Sequence, residues 1–459
     1  MREQNISLDL SGQVSNLILD YIAEKETIQP FYTYKNNKEG FRKKIEATEF
    51  SREKRELLVQ QLKSQYSKNE IDLPKQTDSL LDDNTFVITT GHQLCLFGGP
   101  QYFIHKIVST IKLTKQLKEL FPAKNFLPLF WLASEDHDFD EINHAHISQQ
   151  TLQSETELKG AVGRLPMSIF ENSYRDLYDL LGNRANEIKE LFDVNFENKS
   201  LARVTTEWVQ KLFKDEELII VDGDDIELKR SFIPTIKKEL LDKGSFNQIN
   251  TTSEELKQLG FKAQVTPREI NLFYLKDNLR ERIVLEGATY KILNTDFTFS
   301  EQEILEELDR HPERFSPNAV FRPVYQEAVL PNLAYIGGPG ELAYWLQLKN
   351  SFKNLLTPFP VLVLRDLFVP ADEKTLINLK KLNLNLIDFF SNEDDLIKSY
   401  LKNNSLTHIT FEEELNQLKK LIGNSFFSIS FSIGIIGDWG SGKSSFSNLL
   451  WEELNRSDS

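Results

Sequence analysis

Cysteine is almost missing: Cys95 is the single one in 459 residues. An intrachain disulfide framework and a cysteine zinc site are therefore excluded, which fits a reducing, cytoplasmic setting. Long hydrophobic runs are missing too. The longest apolar-leaning stretches, residues 126–133 and 426–436, fall well short of the ~20 residues that cross a bilayer. Residues 1–25 carry no continuous apolar stretch of the kind a signal peptide needs. Positive charge is in deficit: 54 Lys and Arg against 69 Asp and Glu leave a net charge of -15. With no basic cluster, such a surface repels polyphosphate, so neither nucleic acid nor membrane is an expected partner. No repeat with a period of 20 to 50 residues occurs, which excludes solenoids and propellers.

What remains is ordinary globular material, 40% apolar and 27% charged, long enough for about three domains. Residues 1–80 read as helices that pack on something else. Residues 81–370 have α/β texture: a β-rich run at 85–89, a glycine loop at 91–100, a helix near 102–120 and a buried strand at 126–133. That order is a βαβ unit and predicts a doubly wound parallel sheet. Further strands are expected at 218–221, 332–336 and 359–364, with a small β-rich insertion at 261–299. Residues 371–425 read as helical, with Leu376, Leu379, Leu382 and Leu386 at steps of three and four, and 426–459 as a separate terminal fragment.

Three constellations fall at predicted strand ends, where an α/β sheet binds ligands. In Thr89-Thr90-Gly91-His92-Gln93, continuing to Gly98 and Gly99, backbone N–H groups at a helix start suit an anion. His92 is a candidate anion contact, Lys106 follows in the helix, and a plain turn is the alternative. The second, Ser134 to Glu141, holds five carboxylates and an imidazole. Glu135, Asp136, His137 and Asp138 there suit a substrate ammonium, a general base or a helix cap. The spacing matches no metal motif, so no metal is expected. The third joins Arg322, a candidate carboxylate clamp, to Tyr335, the double glycine Gly337-Gly338 and Glu341. Core packing is its alternative. Arg268 is a weaker candidate of the same kind.

Together, TTGHQLCLFGGP, PLFWLASEDHDFDEINHA and FSPNAVFRPVYQEAVLPNLAYIGGPGELAYW resemble the bacillithiol biosynthesis cysteine-adding enzymes over roughly residues 1–400. The resemblance implies a Rossmann-like nucleotidyltransferase-type core with inserted segments and an α-helical coiled coil that forms a homodimer. It implies addition of L-cysteine to glucosaminyl malate. Their placement at the predicted strand ends makes His92, Asp136 and His137 the catalytic candidates. Thr90, Gln93, Gly98, Gly99, Lys106, Glu135, Asp138, Arg268, Arg322, Tyr335, Gly337, Gly338 and Glu341 are then substrate-binding candidates. Use of ATP is left open.

The tail departs from that family. Gly437, Gly442, Lys443 and Ser444 fit the phosphate-cradling P-loop pattern, and GDWGSGKSSF resembles the KAP family of P-loop NTPases. Fifteen residues follow Ser444, too few for the acidic second-strand motif, so this cofactor-binding loop is expected to contribute nothing to activity. A P-loop ATPase fragment and a noncatalytic, partner-binding protein are the alternatives to a ligase.

Overall fold

In the computed structural model the described residues are 5–147, 150–368, 371, 373–391, 395–397 and 399–400. Five parallel strands form the central sheet: β1 (Thr85–His92), β2 (Asn125–Leu132), β5 (Ile219–Asp222), β11 (Asn332–Gly337) and β12 (Val361–Leu364). β2 and β11 are largely apolar, β1 carries Phe86, Val87 and Ile88 among threonines, and all three are almost wholly buried, as strands covered on both faces must be. The helix Tyr102–Leu120 crosses from β1 to β2, burying Phe103, Ile104, Ile107, Ile111 and Leu117.

The strand order is β12-β11-β1-β2-β5. The chain steps from β1 outward through β2 to β5, then returns to lay β11 and β12 on the other side of β1. The order reverses between β1 and β11, which makes the carboxyl ends of those strands the crevice where this architecture receives ligands. Thr89 pairs with Tyr335 on one side and Leu129 on the other, so the three strand ends lie level.

Two smaller sheets flank the core. β3 (His144–Ile147) and β4 (Gln150–Gln153) form a hairpin that polar residues hide from a periodicity reading. The inserted antiparallel sheet runs β10-β6-β7-β8-β9, with β6 at Leu272–Lys276, β7 at Leu279–Glu286, β8 at Thr289–Ile292, β9 at Thr298–Phe299 and β10 at Phe315–Pro317. It starts later than residue 261 and recruits β10 from beyond 299. The leucine series also departs from one continuous helix. The helix Glu373–Lys381 stops where Asn383 turns left-handed at φ 53° and the Leu384 N–H returns to the Leu379 carbonyl, a helix-ending motif. Leu386 opens a separate 3₁₀ turn, Leu386–Phe390. No coiled coil occurs among the described residues, and 401–425 lie outside them.

The N-terminal helices are tied to the sheet by buried cations. Arg55, 2% exposed, donates to the carbonyls of Leu80 (2.8 Å) and Thr85 (3.0 Å). Lys44, on the helix Lys38–Ala47, is also buried, and burial, opposed by the charge of Glu327, pushes its pKa down to about 8. Glu327 accepts hydrogen bonds from Gln326 Nε2 (2.9 Å) and Asn332 Nδ2 (2.7 Å). Burial, eased by Lys44, pushes its pKa up to about 7 from 4.5. The folded state therefore holds a proton that the unfolded chain has released between those values. Stability should fall as pH rises through this window, by on the order of 3 kcal/mol from this group. Urea unfolding at pH 5 and pH 7 checks this: relative to the wild type, Glu327→Gln should shift the pH 5 to pH 7 change in stability by about 2 kcal/mol in favour of pH 7, and an unchanged pH dependence would contradict it.

Candidate active site at the strand ends

One ammonium organises the crevice between β1 and β11. Lys106, 2% exposed, donates to the Gly91 carbonyl and to both Glu341 oxygens, at 2.8 and 2.7 Å. Glu341 also accepts from Tyr335 Oη (2.7 Å) and from the Gly338 N–H (2.8 Å). Burial opposes its ionisation, but Lys106 and these donors hold its pKa down to about 2. Thr90 donates to the Ile336 carbonyl at 2.8 Å, stitching β1 to β11. Lys106, Glu341, Tyr335 and Thr90 were substrate-binding candidates. The structure instead spends their polar groups on each other and on the backbone, so they brace the site.

Both glycine cradles need the same correction. Gly98 and Gly99 are buried with φ of 81° and 51°, conformations that glycine adopts without penalty. A Cβ on Gly98 would lie 3.0 Å from the Trp208 ring, and one on Gly99 only 2.2 Å from the Cys95 Cβ. These glycines permit a tight turn and leave no open cradle. At Gly337-Gly338 the helix Pro339–Asn354 is capped by its own Glu341, so an anion already occupies that N-terminus.

Two guanidinium groups stand at this edge. Arg322 Nη1 lies 3.6 Å from where a Gly91 Cβ would sit, and donates to Gln326 Oε1 at 3.0 Å. Arg365, which no sequence signal marked, follows β12. Its backbone N–H binds the Gly337 carbonyl (2.9 Å), and its guanidinium lies 5.2 Å over the Tyr102 ring. Its Nε, 3.6 Å from a would-be Gly338 Cβ, is buried without a hydrogen-bond partner. Arg365 also lines a cleft of about 380 Å³ with Tyr21, Tyr32, Glu24 and Lys35.

His92 packs between Tyr102 and Phe103, each ring 5.3 Å away. Burial and the nearby Lys106 charge push its pKa down to about 4, so it is neutral at pH 7. Its Nδ1 lies 3.0 Å from the Gln93 carbonyl, which places the hydrogen on Nδ1 and leaves the Nε2 lone pair bare. His92 is thus a proton acceptor, whereas an anion contact would need a donor. Gln93 continues the line: its Nε2 donates to Asp136 (2.8 Å) and to Glu141. Gln93, and not His92, meets the acidic loop.

Within that loop the carboxylates divide. Burial opposes the ionisation of Asp136, but the charge of Arg280, the Gln93 amide and the His137 backbone N–H hold its pKa well below the usual carboxylate range. Glu135 is drawn inward, 2.5 Å from Lys229, whose Nζ also lies 3.2 Å from Asp224. Arg164 pairs bidentately with Asp224 at 2.6 and 2.8 Å. Ser134 donates to Asp222, whose pKa burial and Asp224 push up to about 6. Glu135 therefore anchors the loop. Asp138 is exposed and caps the short helix Phe139–Ile142, the bland reading of that position. Arg268 is exposed on a loop, its backbone N–H bound to Asn271. Gly437, Gly442, Lys443 and Ser444 lie outside the described residues. Among the described residues no group of three or more His, Cys, Asp or Glu side chains is arranged to hold a metal ion, and no helix is long and apolar enough to cross a membrane.

Fold and site together define a Rossmann-like α/β protein whose polar groups converge on the carboxyl edge of its sheet. Residues 1–366 match the family described as bacillithiol biosynthesis BshC, N-terminal Rossmann-like domain. Residues 411–459 match the KAP family P-loop domain. A Flavobacterium johnsoniae protein named "Putative cysteine ligase BshC" is 43% identical over 431 residues, covering 92% of this chain and 80% of that protein. Its Flavobacterium psychrophilum namesake is 45% identical over 423 residues, covering 90% and 79%. That of Bacillus cereus is 30% identical over 421 residues, covering 86% and 76%. The chain belongs to the BshC family of ligase enzymes.

The brace is open to test. Removing one partner of a buried ion pair strands the other charge, at about 3–5 kcal/mol. Lys106→Met should therefore lower stability by at least about 3 kcal/mol in urea unfolding, and adding Glu341→Gln should recover part of it. A single variant as stable as the wild type would contradict the arrangement.

Proposed function

We propose that the chain forms the amide between L-cysteine and glucosaminyl malate, the carbon–nitrogen bond that completes bacillithiol. The observation that carries the reading is the convergence of a neutral, bare imidazole nitrogen, an ionised carboxylate and two guanidinium groups on one strand-end edge. Family membership and the names of the relatives support it.

An attacking amine must shed a proton as it bonds to carbon, and His92 Nε2 is the proposed acceptor. Asp136, ionised at any working pH, suits the ammonium of cysteine. Arg322 and Arg365 suit the malyl carboxylates, which a planar fork of donors matches well. Joining a carboxylate to an amine is uphill in water, so the carboxyl group needs activation, and ATP is the proposed reagent. A homodimer formed through the helices beyond residue 370 belongs to the same proposal. The P-loop ATPase reading draws on residues 411–459 alone, and the noncatalytic reading has no observation in its favour.

Mass-spectrometric detection of bacillithiol from cysteine and glucosaminyl malate, with and without ATP, tests the proposal. His92→Ala and Asp136→Asn should each cut product formation about a hundredfold or more, the scale of a lost acid–base or electrostatic group. Near-normal product from both folded variants would remove these residues from the chemistry.

A further inference from the structure

The inserted sheet touches the strand-end site through a side chain that is itself held on three sides. Arg280, on β7, is 8% exposed. Its Nε donates to Ser316 Oγ (3.2 Å), its Nη2 donates to the Pro317 carbonyl (3.1 Å), and its guanidinium lies 4.1 Å over the Phe273 ring. The remaining Nη1 lies 2.7 Å from His137 Nδ1 and 3.8 Å from Asp136 Oδ1. The His137 ring packs 5.1 Å from Phe273, so Phe273 contacts both groups.

A guanidinium only donates hydrogen bonds and does not lose its proton in proteins. At 2.7 Å it requires a lone pair on His137 Nδ1, because a hydrogen there would set two N–H groups face to face. The competing arrangement turns a protonated Nδ1 toward Asp136 Oδ1, 3.5 Å away. That distance exceeds a good hydrogen bond, and the same Oδ1 already accepts the His137 backbone N–H at 2.7 Å. The shorter contact decides the tautomer.

We propose that Arg280 is a positioning residue that fixes His137 as the neutral tautomer with hydrogen on Nε2. The half-exposed ring then offers a neutral hydrogen-bond donor just beyond the carboxyl end of β2. His92 has the opposite tautomer, hydrogen on Nδ1 and a bare Nε2. The two imidazoles thus divide the work, one accepting and one donating. Resting on the function proposed above, the His137 donor serves the carboxyl oxygen that gains negative charge when the amine attacks its carbon.

NMR of the full chain labelled with ¹⁵N-histidine tests this without turnover. At pH 7, with His137 assigned from a His137→Asn spectrum, long-range ¹H–¹⁵N correlations should show hydrogen on Nε2 and none on Nδ1. In Arg280→Met, Nδ1 should gain a proton shared with Asp136, while Arg280→Lys, still a donor, should keep the wild-type pattern. Folded Arg280→Met should also lower kcat tenfold or more, with KM changed less than about threefold. A protonated Nδ1 in the wild-type chain would overturn the proposal, and so would an unchanged tautomer in folded Arg280→Met. Should Arg280→Met not fold, the wild-type spectrum still decides. The expected spectra without bacillithiol formation would refute the proposed function and leave the tautomer assignment intact.

Discussion

The structure depends on the ion pair between Lys106 and Glu341. Lys106 rises from the helix that leaves β1, and Glu341 caps the helix that leaves β11. An ammonium buried to 2% exposure is costly unless its donors are met. Here the Gly91 carbonyl and two carboxylate oxygens meet all three. The pair fixes the separation of the two strand ends at the point where strand order reverses. Three of the groups assigned to substrate sit against that frame: His92 follows Gly91, Arg322 lies over Gly91, and Arg365 is bonded through its backbone to Gly337.

A second buried network does the same for the acidic loop. Lys229 between Glu135 and Asp224, with Arg164 outside them, pins the loop to the end of β5. Arg280 fixes its outer part from the inserted sheet. Asp136 and His137 are therefore held from both sides while keeping some exposure. The insertion is more than decoration on the core, because it supplies a cation, Arg280, that reaches these two residues.

Much of this frame was legible in the residues. The crossover helix shows a clear 3.6-residue pattern, β2 a continuous apolar run and β1 a short β-rich one, and the three motif segments do converge on one edge. Roles were harder to read. A glycine pair that allows positive φ beside Trp208 and Cys95 looks, as letters, the same as one that cradles an anion. Lys106 and Glu341 look like ligand contacts until each is seen to be the other's partner. Arg365 and Arg280 carry no local motif at all, since each reaches the site from a segment more than 140 residues from His92 or His137. Asn383, whose left-handed turn ends a helix inside a regular leucine series, gave no warning in the spacing.

The central claim is that substrate anions meet guanidinium groups at the switch between β1 and β11. A crystal structure of the protein soaked with glucosaminyl malate tests it most directly. The account predicts the malyl carboxylates within hydrogen-bond distance of Arg322 and Arg365, with the amine of the sugar toward His92 Nε2. Glucosaminyl malate bound elsewhere, with both guanidinium groups unengaged, would contradict it.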